Sequence, residues 1–387
     1  MLSQIPINLE KIKKENLDKE ILRVGIIAEL DAVNLYEQMA VTTENENIKK
    51  ILLDIAKEPP FRLKQVKKAL FQDLIENWNK ATILPQNLRQ KLSENCPISE
   101  SKPEKILTSK NNQTIKVVFG LKDGLKIESV LTKHKDDRRT VCVSSQVGCA
   151  IGCRFCATGQ QGFKRDLTSS EIIEQTLFFA RLLKKEKEKV TNVVFMGMGE
   201  PFMNYDNVLE AIKILNDKEG FNLGARRISI STVGIIEGIK KISQEKLQVN
   251  LAISLHSPNN KLRSRLMPIN RKYSIEKILA AVDDYIKKTK RRVMFEYLMI
   301  DGVNDSEKEA EKLSKILRKP LYFVNLISFN PIGHSQFKPS AGWKIKKFKD
   351  ILEKSGITVT QRYRFGREIL AACGQLTGRI KNGVNPV

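Results

Sequence analysis

The chain is 387 residues long, 41% hydrophobic and strongly basic, with 67 Lys/Arg against 44 Asp/Glu and a formal net charge of +23. No apolar run approaches the roughly 18–20 residues a membrane span needs, and no basic stretch followed by an apolar one opens the sequence, so neither a bilayer anchor nor an export signal is expected. Six irregularly spaced cysteines in so long a chain are not a secreted disulfide framework, which points to the cytoplasm, where thiols stay reduced. The charge is uneven. Residues 1–58 hold 8 Lys/Arg and 11 Asp/Glu, a net of −3, whereas the rest holds 59 and 33, a net of +26. A surplus of that size points to a polyanionic partner, nucleic acid before a membrane.

Residues 7–58 read as two helices. Ile21, Val24, Ile27, Leu30, Leu35 and Met39 fall near helical spacing, Thr42 to Asn47 breaks the pattern, and a run from Ile48 to Lys57 stops at Pro59-Pro60. This stretch resembles the first helix pair of rubrerythrin-like, ferritin-like proteins, in which Glu29 would ligate a di-iron centre. The matching Glu-x-x-His is missing where the chain turns into Pro59, and half a di-iron site is not a site. Residues 1–58 are therefore expected to be a helical hairpin and a candidate docking or dimerising element on an otherwise monomeric protein.

Residues 59–104 are expected to form a small helical accessory domain for RNA binding, with Arg62, Lys64, Lys67 and Lys68 on its outside. From 113 to 133 the pattern alternates, with Ile115, Val117 and Phe119 before a Gly-containing turn and Ile127, Val130 and Leu131 after it, which predicts a β-hairpin. Next come four of the six cysteines, Cys142, Cys149, Cys153 and Cys156, the last three reading C-x3-C-x2-C. Thiolates are soft ligands that select iron–sulfur centres or zinc. Three at ligand spacing leave one metal position open, as catalysis requires. A zinc knuckle with a distant fourth ligand, or buried thiols, are the plainer alternatives.

From Thr168, which opens a capping box with Glu171, helical and strand-like runs alternate. Strands are expected at 190–196, 228–231, 249–254, 292–299 and 322–327 and near Val359. Helices are expected at 168–183, 207–215, 234–243, 274–289, 306–317 and 341–354. Repeated βα units imply a parallel sheet with its chemistry in the loops at the strand C-termini. The fold class is thus α/β, with a catalytic domain over 105–380 and a tail at 381–387.

The segments CVSSQVGCAIGCRFCATGQQGF, MGMGEPFMN, RRISISTVGI, VNLAISLHSP, RLMPIN, IDGVND, VNLISFNP and AACGQLTG together resemble the RlmN/Cfr family of radical S-adenosylmethionine (SAM) ribosomal RNA adenine methyltransferases over about residues 59–380. Carbons 2 and 8 of adenine are not nucleophilic, which explains why an RNA methylase would need radical chemistry. The resemblance implies a partial (β/α)6 barrel with a β-hairpin extension, and a 4Fe-4S cluster on Cys149, Cys153 and Cys156. It also implies two SAM molecules per methylation, bound by Gly199, Glu200, Ser231, Ser254, Leu255, His256 and Asn330. Cys373 would carry the methyl group, Cys142 would resolve the covalent adduct by a disulfide with Cys373, and Glu128 would accept the proton. The partners implied are 23S rRNA, tRNA and an electron donor such as flavodoxin or ferredoxin. Within the family the cysteine and Gly-Glu-Pro segments look like the carbon-2 branch. One departure stands out: Arg367-Glu368 occupies the place of an acidic pair before Ala371-Ala-Cys373. Cys96 matches no motif and is expected in a core.

Overall fold

The computed structural model describes residues 61–333, 335–362 and 365–378. The expected helical hairpin at 7–58, its ferritin-like resemblance and the tail at 381–387 lie outside the described residues. The contact pattern divides the chain into two compact units at Ser99/Glu100, with residues 219–221 belonging to the first.

The described part of the first unit is helical. Phe61–Lys67 runs into a wider turn at Lys68–Gln72, a short turn follows at Trp78–Lys80, and a helix spans Gln86–Asn95. Ala69, Ile75, Trp78, Ala81, Leu84, Leu88 and Leu92 form its core. Cys96 packs against that core, and its carbonyl accepts a 2.6 Å hydrogen bond from the Trp78 indole. Lys64 and Lys68 are exposed, whereas Arg62 and Lys67 are half-buried.

The second unit is built on a ten-stranded sheet in the order β1-β2-β3-β4-β7-β8-β9-β10-β11-β12. Its first part is antiparallel: β1 (Lys102–Thr108), β2 (Thr114–Gly120), β3 (Lys126–Lys133) and β4 (Arg139–Val143). From β4 onward every pairing is parallel, through β7 (Asn192–Phe195), β8 (Ile228–Thr232), β9 (Asn250–Ser254), β10 (Val293–Met299), β11 (Tyr322–Ser328) and β12 (Thr358–Gln361). Helices alternate with these strands, as parallel crossovers require, giving the partial α/β barrel expected. One strand and one helix differ from the sequence reading. The hairpin is a three-stranded extension, because β1 precedes it across the boundary expected at 104/105, and its exposed side chains gave no alternation to read. A short helix at Asn260–Leu266 was also unforeseen.

A separate two-stranded ribbon, β5 (Gln146–Gly148) against β6 (Phe163–Asp166), closes the cysteine segment into a loop. Gly148 makes this possible. Its φ is +75°, and a Cβ there would lie 1.9 Å from the Gly162 carbonyl oxygen, whose chain must come that close for the ribbon to pair. Among the described residues no helix is long and apolar enough to cross a membrane.

Candidate active site

Two neighbouring cavities occupy the second unit. The smaller, about 150 Å³, lies at the C-terminal ends of the parallel strands and is lined by Cys149, Cys153 and Cys156, Gly199 and Glu200, Ser231, Ser254 and His256. The larger, about 450 Å³, lies against one face of the sheet. Its walls follow the two-residue period of a strand: Thr140 and Cys142 on β4, Asn192 and Val194 on β7, Met294 and Glu296 on β10, Asn325 and Ile327 on β11. Met196, Glu296, Ile327, Cys373 and Leu376 line both. Cys373 thus stands in the shared wall, while Cys142 faces the larger cavity alone.

The cysteine loop is fixed before any ligand enters. The Cys149 amide donates to the Gly162 carbonyl, and the Arg154 amide to that of Leu266. Burial pushes the Cys149 thiol up to about 12 and the Cys153 thiol well above the usual range, so both are neutral until a cation draws off their protons. No three His, Cys, Asp or Glu side chains converge on a single ion among the described residues. A four-iron cluster does not ask for that, since each thiolate binds a different iron. Three thiols around one buried cavity fit such a cluster chemically.

The Gly-Glu-Pro turn sits over this loop. Gly199 has φ +100°, and a Cβ would come 2.6 Å from the Gln146 side chain, which accepts a hydrogen bond from the Glu200 amide. Burial raises Glu200 to about 7, although its carboxylate accepts hydrogen bonds from the Phe202 and Val233 amides. His256 is neutral: burial lowers it to about 3, and its Nδ1 accepts the Leu298 amide, which leaves Nε2 to donate into the small cavity. Phe155 packs edge-on against its ring.

Not every residue expected in this pocket lines it. The Leu255 side chain is fully buried and borders neither cavity, and Asn330 borders only the larger. Asn330 Nδ2 donates to the Cys373 carbonyl, while its Oδ1 is buried without a hydrogen bond. Glu128 borders neither cavity. It lies on β3 beneath the Cys373 loop, where its carboxylate accepts the Thr377 amide and pairs with Lys116 at 3.4 Å. Burial pushes Glu128 up, and the Lys116 ammonium works against that. Lys116 also donates to the Leu370 carbonyl, Thr158 Oγ1 to that of Leu376, and the Ala157 amide to that of Gly374. The Cys373 loop is thereby tied both to the cysteine loop and to the β-extension. Glu368, of the Arg367-Glu368 step that departs from the family pattern, accepts the Lys110 amide at the β1–β2 turn.

Three further residues went unread in the sequence. Arg263 is fully buried and donates to the Leu255, Ser254, Val233 and Tyr273 carbonyls and to Asn270, holding the Val233 and Ser254 pocket segments to the turn at 270–273 on one guanidinium. Glu296 accepts from Ser231 Oγ at 2.8 Å, and its other oxygen, Oε1, makes no hydrogen bond. Arg362 reaches Cys373 Sγ at 3.2 Å. Each lies in an ordinary-looking run; a glutamate inside an apolar strand was the only available signal.

The model for the radical SAM superfamily matches residues 143–313. A probable dual-specificity RNA methyltransferase RlmN of Chloroflexus aurantiacus is 45% identical over 341 residues, covering 85% of this chain and 90% of the relative. A ribosomal RNA large subunit methyltransferase N of Nitrosopumilus maritimus is 43% identical, covering 86% and 96%. The crystal structure of a radical SAM methyltransferase from Sphaerobacter thermophilus superposes with a TM-score of 0.81 at 44% identity, over 83% of this chain and 94% of that one. With fold, thiol-lined cavity and near full-length relatives in agreement, the chain belongs to the RlmN family of radical SAM RNA methyltransferases.

Proposed function

We propose that the chain methylates carbon 2 of an adenine in 23S rRNA and of an adenine in tRNA, with Cys373 as the carrier of the methyl group. The observation that carries this reading is the position of Cys373 in the wall between the two cavities, with Cys142 opening only onto the larger. The small cavity takes a 4Fe-4S cluster on Cys149, Cys153 and Cys156, with SAM against Gly199, Glu200, Ser231, Ser254 and His256. When bound, these supply a methyl group and a carbon radical. The large cavity takes the target adenine.

The chain's own residues then have separate duties. Cys373 presents its sulfur to both sides, and Asn330 fixes its backbone through the carbonyl. Glu128, raised by burial, is the acceptor for the proton released when the adenine regains its aromatic ring; because it borders neither cavity, the Cys373 loop that rests on it must shift to bring the two together. Cys142 attacks the carrier sulfur and forms a disulfide with Cys373; the carbon–sulfur bond to the adenine breaks, and its electron pair leaves with the carbon, which takes a proton to become the methyl group of the product. The electron donor is a small reductant of the flavodoxin or ferredoxin kind. Residues 59–104 hold RNA by their basic face, and residues 1–58 are an appended docking element. The two relatives cover 85% and 86% of the chain, leaving a remainder of about that segment's size.

The test compares two variants. Cys142→Ala should accumulate a protein–RNA crosslink through Cys373, seen as a gel shift that survives denaturation and vanishes with nuclease. Cys373→Ala should give neither crosslink nor methylated RNA while retaining iron. A Cys142→Ala enzyme that turns over normally would end the two-cysteine reading. Mass spectrometry of the modified rRNA decides between carbon 2 and carbon 8.

A further inference from the structure

The residue that meets the Cys373 sulfur is Arg362, in the turn after β12. Its Nη1 lies 3.2 Å from Cys373 Sγ, and its Nη2 lies 3.5 Å from Met196 Sδ. The same Nη1 is 3.8 Å from Glu296 Oε1, the buried carboxylate oxygen that makes no hydrogen bond. A guanidinium is permanently charged and only donates, so its partner must accept. A thiol is a poor acceptor and a thiolate a strong one, whereas the Met196 thioether stays neutral. One cation therefore faces one sulfur that can ionise and one that cannot.

We propose that Arg362 steadies the Cys373 sulfur as it becomes the thiolate that takes the methyl group; this rests on the carrier role proposed above. The thiolate sulfur forms a bond to the methyl carbon of a sulfonium donor as the donor's own carbon–sulfur bond breaks, and that electron pair leaves with the donor as a neutral thioether. The thiol proton is given up to solvent as the anion forms against the guanidinium, so the step needs no oxidant. Afterwards the methylated sulfur is neutral, and Glu296 remains to balance the guanidinium. The carboxylate thus keeps Arg362 paired while the sulfur changes state.

The groups facing Cys373 come from four elements. Burial is the largest influence and holds the Cys373 thiol above its ordinary range; Arg362 pulls it down, while Glu296 on β10 and Cys156 on the cysteine loop push it up. Cys142 on β4 shares the guanidinium's field. His134 and Arg138 border the same cavity; His134 packs edge-on against Phe365 and is lowered by burial, so it is neutral near pH 7, and Arg138 is paired with Asp136. Among these groups Arg362 is the cation within hydrogen-bond reach of the sulfur.

The experiment uses reconstituted holoenzyme, in which the ligating cysteines are protected, and reads the mass of the Cys373 peptide. One arm follows alkylation of unmethylated Cys373 by iodoacetamide from about pH 6 to 10, and the other follows methylation of Cys373 on adding SAM. Arg362→Met should raise the midpoint of alkylation by a unit or more, making the reaction about tenfold slower at pH 7. Arg362→Lys should recover most of that shift. Glu296→Gln should move the midpoint the other way, because it removes a negative neighbour. A midpoint unchanged in Arg362→Met, or displaced in the same direction by both variants, overturns the inference. If wild-type Cys373 alkylates with the expected profile yet never acquires a methyl group, the carrier reading fails and the assignment to Arg362 stands.

Discussion

The two cavities that meet at Cys373 are made by different parts of one sheet. The small one is built from loops at the strand ends, where glycines with positive φ and a buried guanidinium force the backbone into one shape. The large one is built from strand faces, where every second side chain points inward and the backbone imposes nothing beyond the sheet itself. A loop that must grip fixed ligands needs particular residues at particular spacings. A strand face can change its lining one side chain at a time without disturbing its hydrogen bonds. The same chain thus keeps a rigid pocket beside an adjustable one.

The largest expected effect would break that division. Replacing Cys149, Cys153 or Cys156 by Ala should remove most of the roughly four irons bound per chain and abolish methylation, while RNA binding in a gel-shift assay stays within about twofold. Loss of RNA affinity together with iron would mean that the two cavities are one functional unit. Next comes the opposite face of the comparison. Ser229→Leu adds bulk to the floor of the large cavity and should raise KM for RNA about tenfold, leaving iron content and SAM affinity by calorimetry unchanged. A SAM affinity that falls in step with RNA methylation would contradict separate lining roles.

This division also explains what was legible beforehand. Cys149, Cys153 and Cys156 stood out by their spacing and Gly199 and Glu200 by the resemblance of their segment to the family's, and the fold brings all five to the small cavity. The βα alternation from Thr168 onward was readable for the same reason: strand and helix periods differ, and the Thr168–Glu171 capping box forms as its sequence suggests. The strand-face cavity was not readable. Asn192, Ser229, Asn325 and Thr360 look like polar interruptions in apolar strands, and only the sheet order brings them to one wall. Arg263 was hidden differently. In a chain with 67 basic residues a buried arginine carries no mark, since its carbonyl partners lie 8 to 30 residues away and only the fold turns them toward one point.

Arg263 gives the third test, aimed at the rigidity claimed for the small pocket. Arg263→Met keeps the bulk and removes the donors, leaving the Leu255, Ser254, Val233 and Tyr273 carbonyls to lose a partner. Stability should fall by about 3–5 kcal/mol, read from urea unfolding of the holoenzyme. A loss below about 1 kcal/mol would mean that the pocket loops hold their shape without the clamp.

The smallest effect concerns acid and sharpens the same point at His256. Its folded value is about 3, far below the ordinary 6.5, because burial opposes the charged ring and Arg263 stands nearby. Its Nδ1 is already taken by the Leu298 amide, so protonation would also break that hydrogen bond. The sign follows from linkage. Below about pH 6.5 the unfolded chain binds a proton at this residue and the folded chain does not, so acid favours unfolding; above that value neither binds one and the contribution is flat. From pH 6.5 down to 5.5 this single group should remove up to about 1 kcal/mol of stability, and each further unit about 1.4 kcal/mol, until the pH nears 3. His256→Gln cannot take up the proton and should flatten the slope by that amount, although its stability at pH 7.5 is lower for want of the ring's packing on Phe155. Urea midpoints at pH 7.5, 6.5 and 5.5 for both proteins give the comparison. Parallel acid slopes would show that His256 titrates alike in the folded and unfolded chains, and that the pocket around it is open to water rather than dry and fixed.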